Sequence, residues 1–222
     1  MKGIAKLGLV LAAFSAVACA SLAVVYAVTE KTIQAQEQVA FEASLKDIFP
    51  SAETFEDRTS SLESTDPDIK LLSAILVKGG QGNLGMAVKA SGPSYGGKAV
   101  LLVGLGLTRD IAGVRVLELN DTPGLGANAK NPGYFVDKVK KITFPGQFAG
   151  KFLTDAFEVK KDVAAITAST ITSKSLTKIV KVAAEAAAVS LEKELLAPAA
   201  DVAQAGADAK QTPAAEAATG GK

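Results

Sequence analysis

The sequence predicts an α+β protein: one N-terminal transmembrane helix, then a domain with a mostly antiparallel sheet and packed helices. Three observations predict it. Leu7 to Val28 contains no charged residue. Four apolar runs of strand length follow one another from about residue 69. The last apolar pattern recurs at Leu176, Ile179, Val180, Ala183 and Ala187, the spacing of a helix that buries one face.

The uncharged run is 22 residues long, enough at about 1.5 Å per residue to cross a hydrocarbon core of about 30 Å. It exceeds the roughly 7–15 apolar residues of a cleaved signal and has no strong small-residue cleavage site after it. It therefore reads as an uncleaved anchor, with Cys19 as a buried small residue within it. Lys2 and Lys6 precede the span, whereas Glu30 and Lys31 cancel after it. The positive-inside bias then leaves the N-terminus in the cytoplasm and the remaining chain outside. From Glu30 to Phe49 the pattern stays helical until Pro50, extending the anchor as a stalk.

Ser51 to Asp68, dense in acids and hydroxyls, reads as a connector. The apolar runs Ile69–Val77, Leu84–Ala90, Ala99–Leu107 and Ile111–Leu119 are bounded by Gly-Gly, Ser-Gly-Pro and Arg-Asp punctuation, the signature of successive strands. Gly133–Val139 is expected as a short helix, Phe157–Lys160 and Val163–Ile166 as strands, and Thr172–Leu195 as the final helix. After Leu196 the chain is rich in Ala, Pro, Gly and Lys with little to bury, so a disordered tail is expected. The resulting domains are an anchor (1–29), a stalk and connector (30–68), a folded domain (69–196) and the tail (197–222).

With 222 residues, 48% of them hydrophobic, and a formal net charge of +1, the chain suits one medium domain with appendages. It has no broad basic run to neutralise a series of phosphates, which argues against a nucleic-acid partner. The sequence has no histidine and one cysteine. These counts remove a Ser-His-Asp triad, a Cys-His pair, a Cys/His zinc site and a Cys-ligated iron–sulfur cluster. No acidic loop has the spacing of a calcium site. No catalytic residue and no metal ligand is therefore expected, and any redox chemistry needs an organic cofactor.

The stretch Ala165-Ile166-Thr167-Ala168-Ser169-Thr170-Ile171-Thr172-Ser173-Lys174 places hydroxyls where an extended segment turns into a helix. Two readings fit. Free backbone N–H groups and the positive end of the helix dipole favour an anion such as phosphate there. Ser and Thr also cap such N–H groups unaided. Asp121-Thr122-Pro123-Gly124-Leu125-Gly126 likewise reads, on its residues, as a tight Pro-Gly turn.

In the order Ser94-Tyr95-Gly96-Gly97, Asp121–Gly126, Thr167–Ser173, behind one anchor, these motifs resemble the FMN-binding domain of the RnfG/RsxG family, the G component of the Rnf electron-transport complex. The same domain occurs in NqrC, a component of the sodium-pumping NADH:quinone reductase. The resemblance covers residues 1 to 196. It implies that Thr170 carries FMN through a phosphoester bond, attached by a separate magnesium-dependent flavin transferase that draws FMN from FAD. Ser169, Thr172 and Ser173 would flank that phosphate, the latter two as donors. Leu125 would contact the flavin ring, with Thr122, Gly124 and Gly126 supplying the hydrogen-bonding backbone and side chain around it. Tyr95 would either pack against the cofactor or fill the core, and Phe144 and Phe148 need only core packing.

Two cluster positions depart from the family, Ala168 standing for the usual glycine and Ser169 for the usual alanine. Asp121 and Ser94 are two further departures, from glutamate and glycine. The function implied is electron relay through covalent FMN in a membrane-bound ion-translocating ferredoxin:NAD oxidoreductase, with the other Rnf subunits, the flavin transferase and the membrane as partners. The rival readings are an NqrC-type subunit and a non-redox anchored binding or scaffold domain that has lost flavin.

Overall fold

A computed structural model describes residues 2–62 and 64–196. The expected tail at 197–222 lies outside the described residues. Among them, the chain begins with a single helix, α1 (Lys2–Ile48). Its apolar stretch is entirely exposed to the surroundings, and among the described residues α1 is the one helix long and apolar enough to cross a membrane. Cys19, read above as buried, faces outward with the rest of this surface. The helix continues past the apolar stretch without a break, because no proline or glycine interrupts residues 9–48.

Five strands follow in an antiparallel meander: β1 (Thr54–Asp57), β2 (Lys70–Gly79), β3 (Gly82–Ser94), β4 (Gly97–Gly106) and β5 (Ile111–Leu119). The four expected strands are present, and the sheet has one more. Thr54–Asp57, placed above within a connector, pairs along β2 from Thr54↔Lys78 to Asp57↔Ile75. Its Phe55 packs on the sheet, while Glu56 ion-pairs, its Oε2 lying 2.8 Å from Arg58 Nη2, and Asp57 accepts the N–H of Thr59 at 2.7 Å. Polar side chains thus masked an edge strand whose backbone pairs with β2 along its whole length. β3 also runs beyond the expected Ala90, through Gly92 and Pro93. Pairing with β2 stops at Lys70↔Ser91, so Pro93 faces only β4 and its missing N–H breaks no ladder bond there.

The central strands β3 and β4 are buried on both faces. Met86, Val88, Leu101, Val103 and Leu105 point to one side, where they join α2 (Thr170–Leu196) through Leu176, Ile179, Val180, Ala183 and Ala187. Val77, Ala87 and Leu102 point to the other, against Leu45, Ile48 and Phe49 at the end of α1. Each fully buried Leu or Ile here contributes about 1.5–3 kcal/mol. Phe144 and Phe148 fill the first core edge to face, with ring centroids 5.6 Å apart.

Between β5 and α2 the chain departs from expectation twice. Gly133–Val139 is not a helix: Phe135–Asp137 (β6) pairs with Ile142–Thr143 (β7). The Asp137 carboxylate accepts the N–H groups of Val139 and Lys140, each at 3.0 Å, which stabilises a turn rather than helix continuation. Phe157–Lys160 and Val163–Ile166 are not strands, and Val159↔Val163 is a single bridge. Asp162 accepts the N–H of Phe157 at 3.0 Å and of Glu158 at 2.6 Å, and this rolls the segment into a loop. Phe157, Val163 and Ile166 still plug the core, which explains their apolar character.

Candidate flavin site

The three sequence motifs meet at one end of the sheet. Ser94–Gly97 is the two-residue turn between β3 and β4, closed by the Ser94↔Gly97 pair. Asp121–Gly126 leaves the adjacent β5. Thr122 O accepts the N–H of Leu125 at 3.1 Å, with Pro123 second and Gly124 third at φ +76. This is the type II turn that Pro-Gly favours. The third motif delivers the N-terminus of α2 to the same corner.

Asp121 ties them together. Its side chain is only 5% exposed. Oδ1 accepts Gly96 N–H at 2.8 Å, and Oδ2 accepts the Ser94 hydroxyl at 2.8 Å and the Thr172 hydroxyl. Gly126 is required beside it, since a Cβ there would stand 2.6 Å from both Asp121 Oδ2 and Thr172 Oγ1.

α2 starts two residues earlier than expected, at Thr170. The turn before it closes through Ser169 N–H to Ile166 O at 3.0 Å, and Ala168 adopts φ +58. Thr167 N–H donates to the Tyr134 phenol oxygen at 3.1 Å, which holds the Tyr134 pKa below its ordinary value by favouring the charged form. The first bond inside the helix runs from Ser173 N–H to Ser169 O. The N–H groups of Thr170, Ile171 and Thr172 therefore have no acceptor within the helix.

A cleft of about 530 Å³ opens over this corner. Thr170, Ser169, Thr172, Thr122, Leu125, Gly126 and Tyr95 line it, with Ala168 and Ile171. No lining residue is charged. Tyr95 is 65% exposed, which removes the core-filling reading of its ring, and Leu125 and Ile171 also face solvent. Two residues expected at the site do not reach the cleft lining. Gly124 serves the turn, and its carbonyl accepts the Asn128 amide at 2.8 Å. Ser173 is fully buried, accepting Ile166 N–H at 3.0 Å and donating to Ser169 O at 2.8 Å. Thr172 borders the cleft, but its hydroxyl proton goes to Asp121. The donors expected of these two side chains are thus committed within the fold.

Asp121 and Tyr134 were missed as site-shaping residues. Asp121 had a visible signal, an acid two residues after a strand and two before the Pro-Gly of a turn. Tyr134, 33 residues from its partner, had none.

The cleft volume falls within the roughly 300–1,000 Å³ common for small-molecule sites. The walls are apolar around Leu125, Ile171 and Tyr95. A helix N-terminus faces the opening, where a phosphate is favoured. These features fit a flavin mononucleotide.

Comparison with known proteins agrees on the class. Residues 94–185 match the FMN-binding domain model, and residues 1–48 match that of the RnfG N-terminal region. The protein is thus an FMN-binding domain carried on a long N-terminal helix. The G component of the Na(+)-translocating ferredoxin:NAD(+) oxidoreductase complex of Acetobacterium woodii is 32% identical over 193 residues, 79% of this chain and 87% of that protein. The G component of the ion-translocating oxidoreductase complex of Vibrio cholerae is 29% identical, covering 83% of this chain and 90% of its own length. The component of the same name from Methanosarcina acetivorans is 30% identical, over 79% and 89% respectively. The chain belongs to the RnfG family.

Proposed function

We propose that the chain is the flavin-carrying electron-relay subunit of a membrane-bound ion-translocating ferredoxin:NAD oxidoreductase, with FMN held covalently on Thr170. One observation carries the site assignment. Thr170 is the first residue of α2 and lines the cleft where three separate motifs converge. Bound there, FMN supplies the redox chemistry that the side chains lack.

In attachment, Thr170 Oγ1 forms a bond to the flavin-side phosphorus of FAD. The pyrophosphate P–O bond breaks, AMP leaves with the electron pair, and the hydroxyl proton passes to solvent. A separate flavin transferase catalyses the step. The N–H groups of Thr170, Ile171 and Thr172 and the helix dipole stabilise the resulting phosphodiester anion. Leu125 and Tyr95, on the apolar side of the cleft, would shield a bound flavin ring from water.

α1 anchors the domain in the cytoplasmic membrane, with the N-terminus in the cytoplasm and the domain on the other side. The other subunits of the complex supply ferredoxin and NAD binding and ion movement. A covalent bond keeps the flavin from being lost outside the cytoplasm.

The test is co-expression with a flavin transferase, followed by a denaturing gel viewed for flavin fluorescence. A fluorescent band is expected, and Thr170→Ala abolishes it. A dark wild-type band overturns covalent attachment and favours a non-redox binding role. Retention in Thr170→Ala with loss in Thr167→Ala or Thr172→Ala moves the bond to another hydroxyl.

A further inference from the structure

From the hydrogen bonds at this corner we infer that Asp121 is the positioning residue for the acceptor hydroxyl: its buried carboxylate fixes the first turn of α2 so that Thr170 faces the cleft. The inference rests on the Thr170 reading above. An ionised carboxylate only accepts hydrogen bonds, and here it takes three from two segments distant in sequence. Ser94 and Gly96 belong to the β3–β4 turn, and Thr172 belongs to the helix.

Thr172 is the informative partner. Successive helical residues are turned by about 100°, so Thr170 and Thr172 stand about 200° apart around the axis. Pinning Thr172 inward, where it is 2% exposed, presents Thr170 outward. Thr172 is β-branched and stiff at χ1, so holding its Oγ1 holds the backbone turn. Rotation of the helix by one residue would swing the Thr170 hydroxyl about 100° from the cleft. The carboxylate also lies at the positive end of the α2 dipole, which favours a negative charge there. Gly126 is the space that permits the contact, as a side chain at that position would part Asp121 from Thr172.

Thr170 Oγ1 must approach phosphorus in line with the departing AMP oxygen, so a displaced hydroxyl slows the bond-making step more than it weakens binding of the chain to the transferase. The test uses the full-length chain in detergent with flavin transferase, saturating FAD and magnesium. Initial loading rate is read as fluorescence per chain over a range of chain concentrations, beside the thermal midpoint of the unloaded chain. Asp121→Asn is expected to lower kcat for loading at least tenfold while KM stays within about threefold. Thr172→Val, which removes the same tie and keeps the side-chain shape, is expected to reproduce that loss. The double variant is expected to lose little more than either single one.

Loading of Thr172→Val at the wild-type kcat overturns the inference, also where Asp121→Asn fails to fold. A fall in Asp121→Asn confined to KM, or one that disappears when loading is measured well below its thermal midpoint, overturns it as well. Unchanged loading of Thr170→Ala is a different result: it removes the site assignment itself, whatever Asp121 does.

Discussion

Ala168 sits one residue before Ser169 with φ +58, a backbone region that costs an ordinary L-residue about 1–2 kcal/mol. Glycine adopts it freely, but loses about 0.5–1 kcal/mol through the greater entropy of its unfolded chain. Ala168→Gly is therefore expected to stabilise the domain by about 0.5–1 kcal/mol, seen as a higher denaturant midpoint at an unchanged slope. An equal or lower midpoint would show that the surrounding turn relaxes the strain. The departure from the family's glycine was visible in the sequence; the left-handed backbone that gives it a cost was not. The same division holds for Thr170 and Thr172, whose hydroxyl pattern was legible but whose opposite orientations depend on where α2 begins. Ser173 was misplaced for the same reason, since helix phase turns it into the core.

Local pattern served well for elements with one regular period. β5 lies at the expected residues, and α2 differs from expectation by two residues at its start. It served poorly from residue 133 to 166, where loops carry buried apolar side chains. Phe157 and Lys160 both take positive φ, at 51 and 76. Alternation of apolar residues there reflects plugging of a core, and the backbone is held by Asp162 instead of a ladder. Burial opposes the charged form of Asp162, yet the N–H groups of Glu158 and Phe157 and the Lys151 ammonium outweigh it and hold its pKa below the ordinary carboxylate value. A lowered folded pKa means that this stability is present above the unfolded value of about 3.9 and is lost as pH falls through the folded value. Asp162→Asn is thus expected to lower the thermal midpoint at neutral pH and to flatten its decline below about pH 4. A variant whose midpoint falls in parallel with the wild type in acid would contradict this.

At the scale of the whole molecule, the end of the long helix rests closely on a pair of glycines in the sheet. Gly104 and Gly113 pair across β4 and β5, and Ile48 lies over both. A Cβ on Gly104 would stand 2.4 Å from Ile48 Cγ2 and 2.8 Å from the Phe49 ring. Gly104→Ala is expected to destabilise the domain by about 1–3 kcal/mol through overpacking. Adding Ile48→Ala should recover part of that loss in a double-mutant cycle of unfolding free energies, and simple additivity would show that the two do not meet. The same glycines were read as strand residues from the sequence, which carried no sign that a distant helix end would rest on them.

That seat gives the 47-residue helix a mechanical role. From Val28 to Ile48 it rises up to about 30 Å, with no hinge along the way and a fixed bearing at the top. It acts as a shaft, not a tether. Turning the helix about its own axis turns the sheet, and the cleft at the end of the sheet turns with it. The azimuth at which Thr170 faces its surroundings is consequently tied to the rotation of α1 about its own axis.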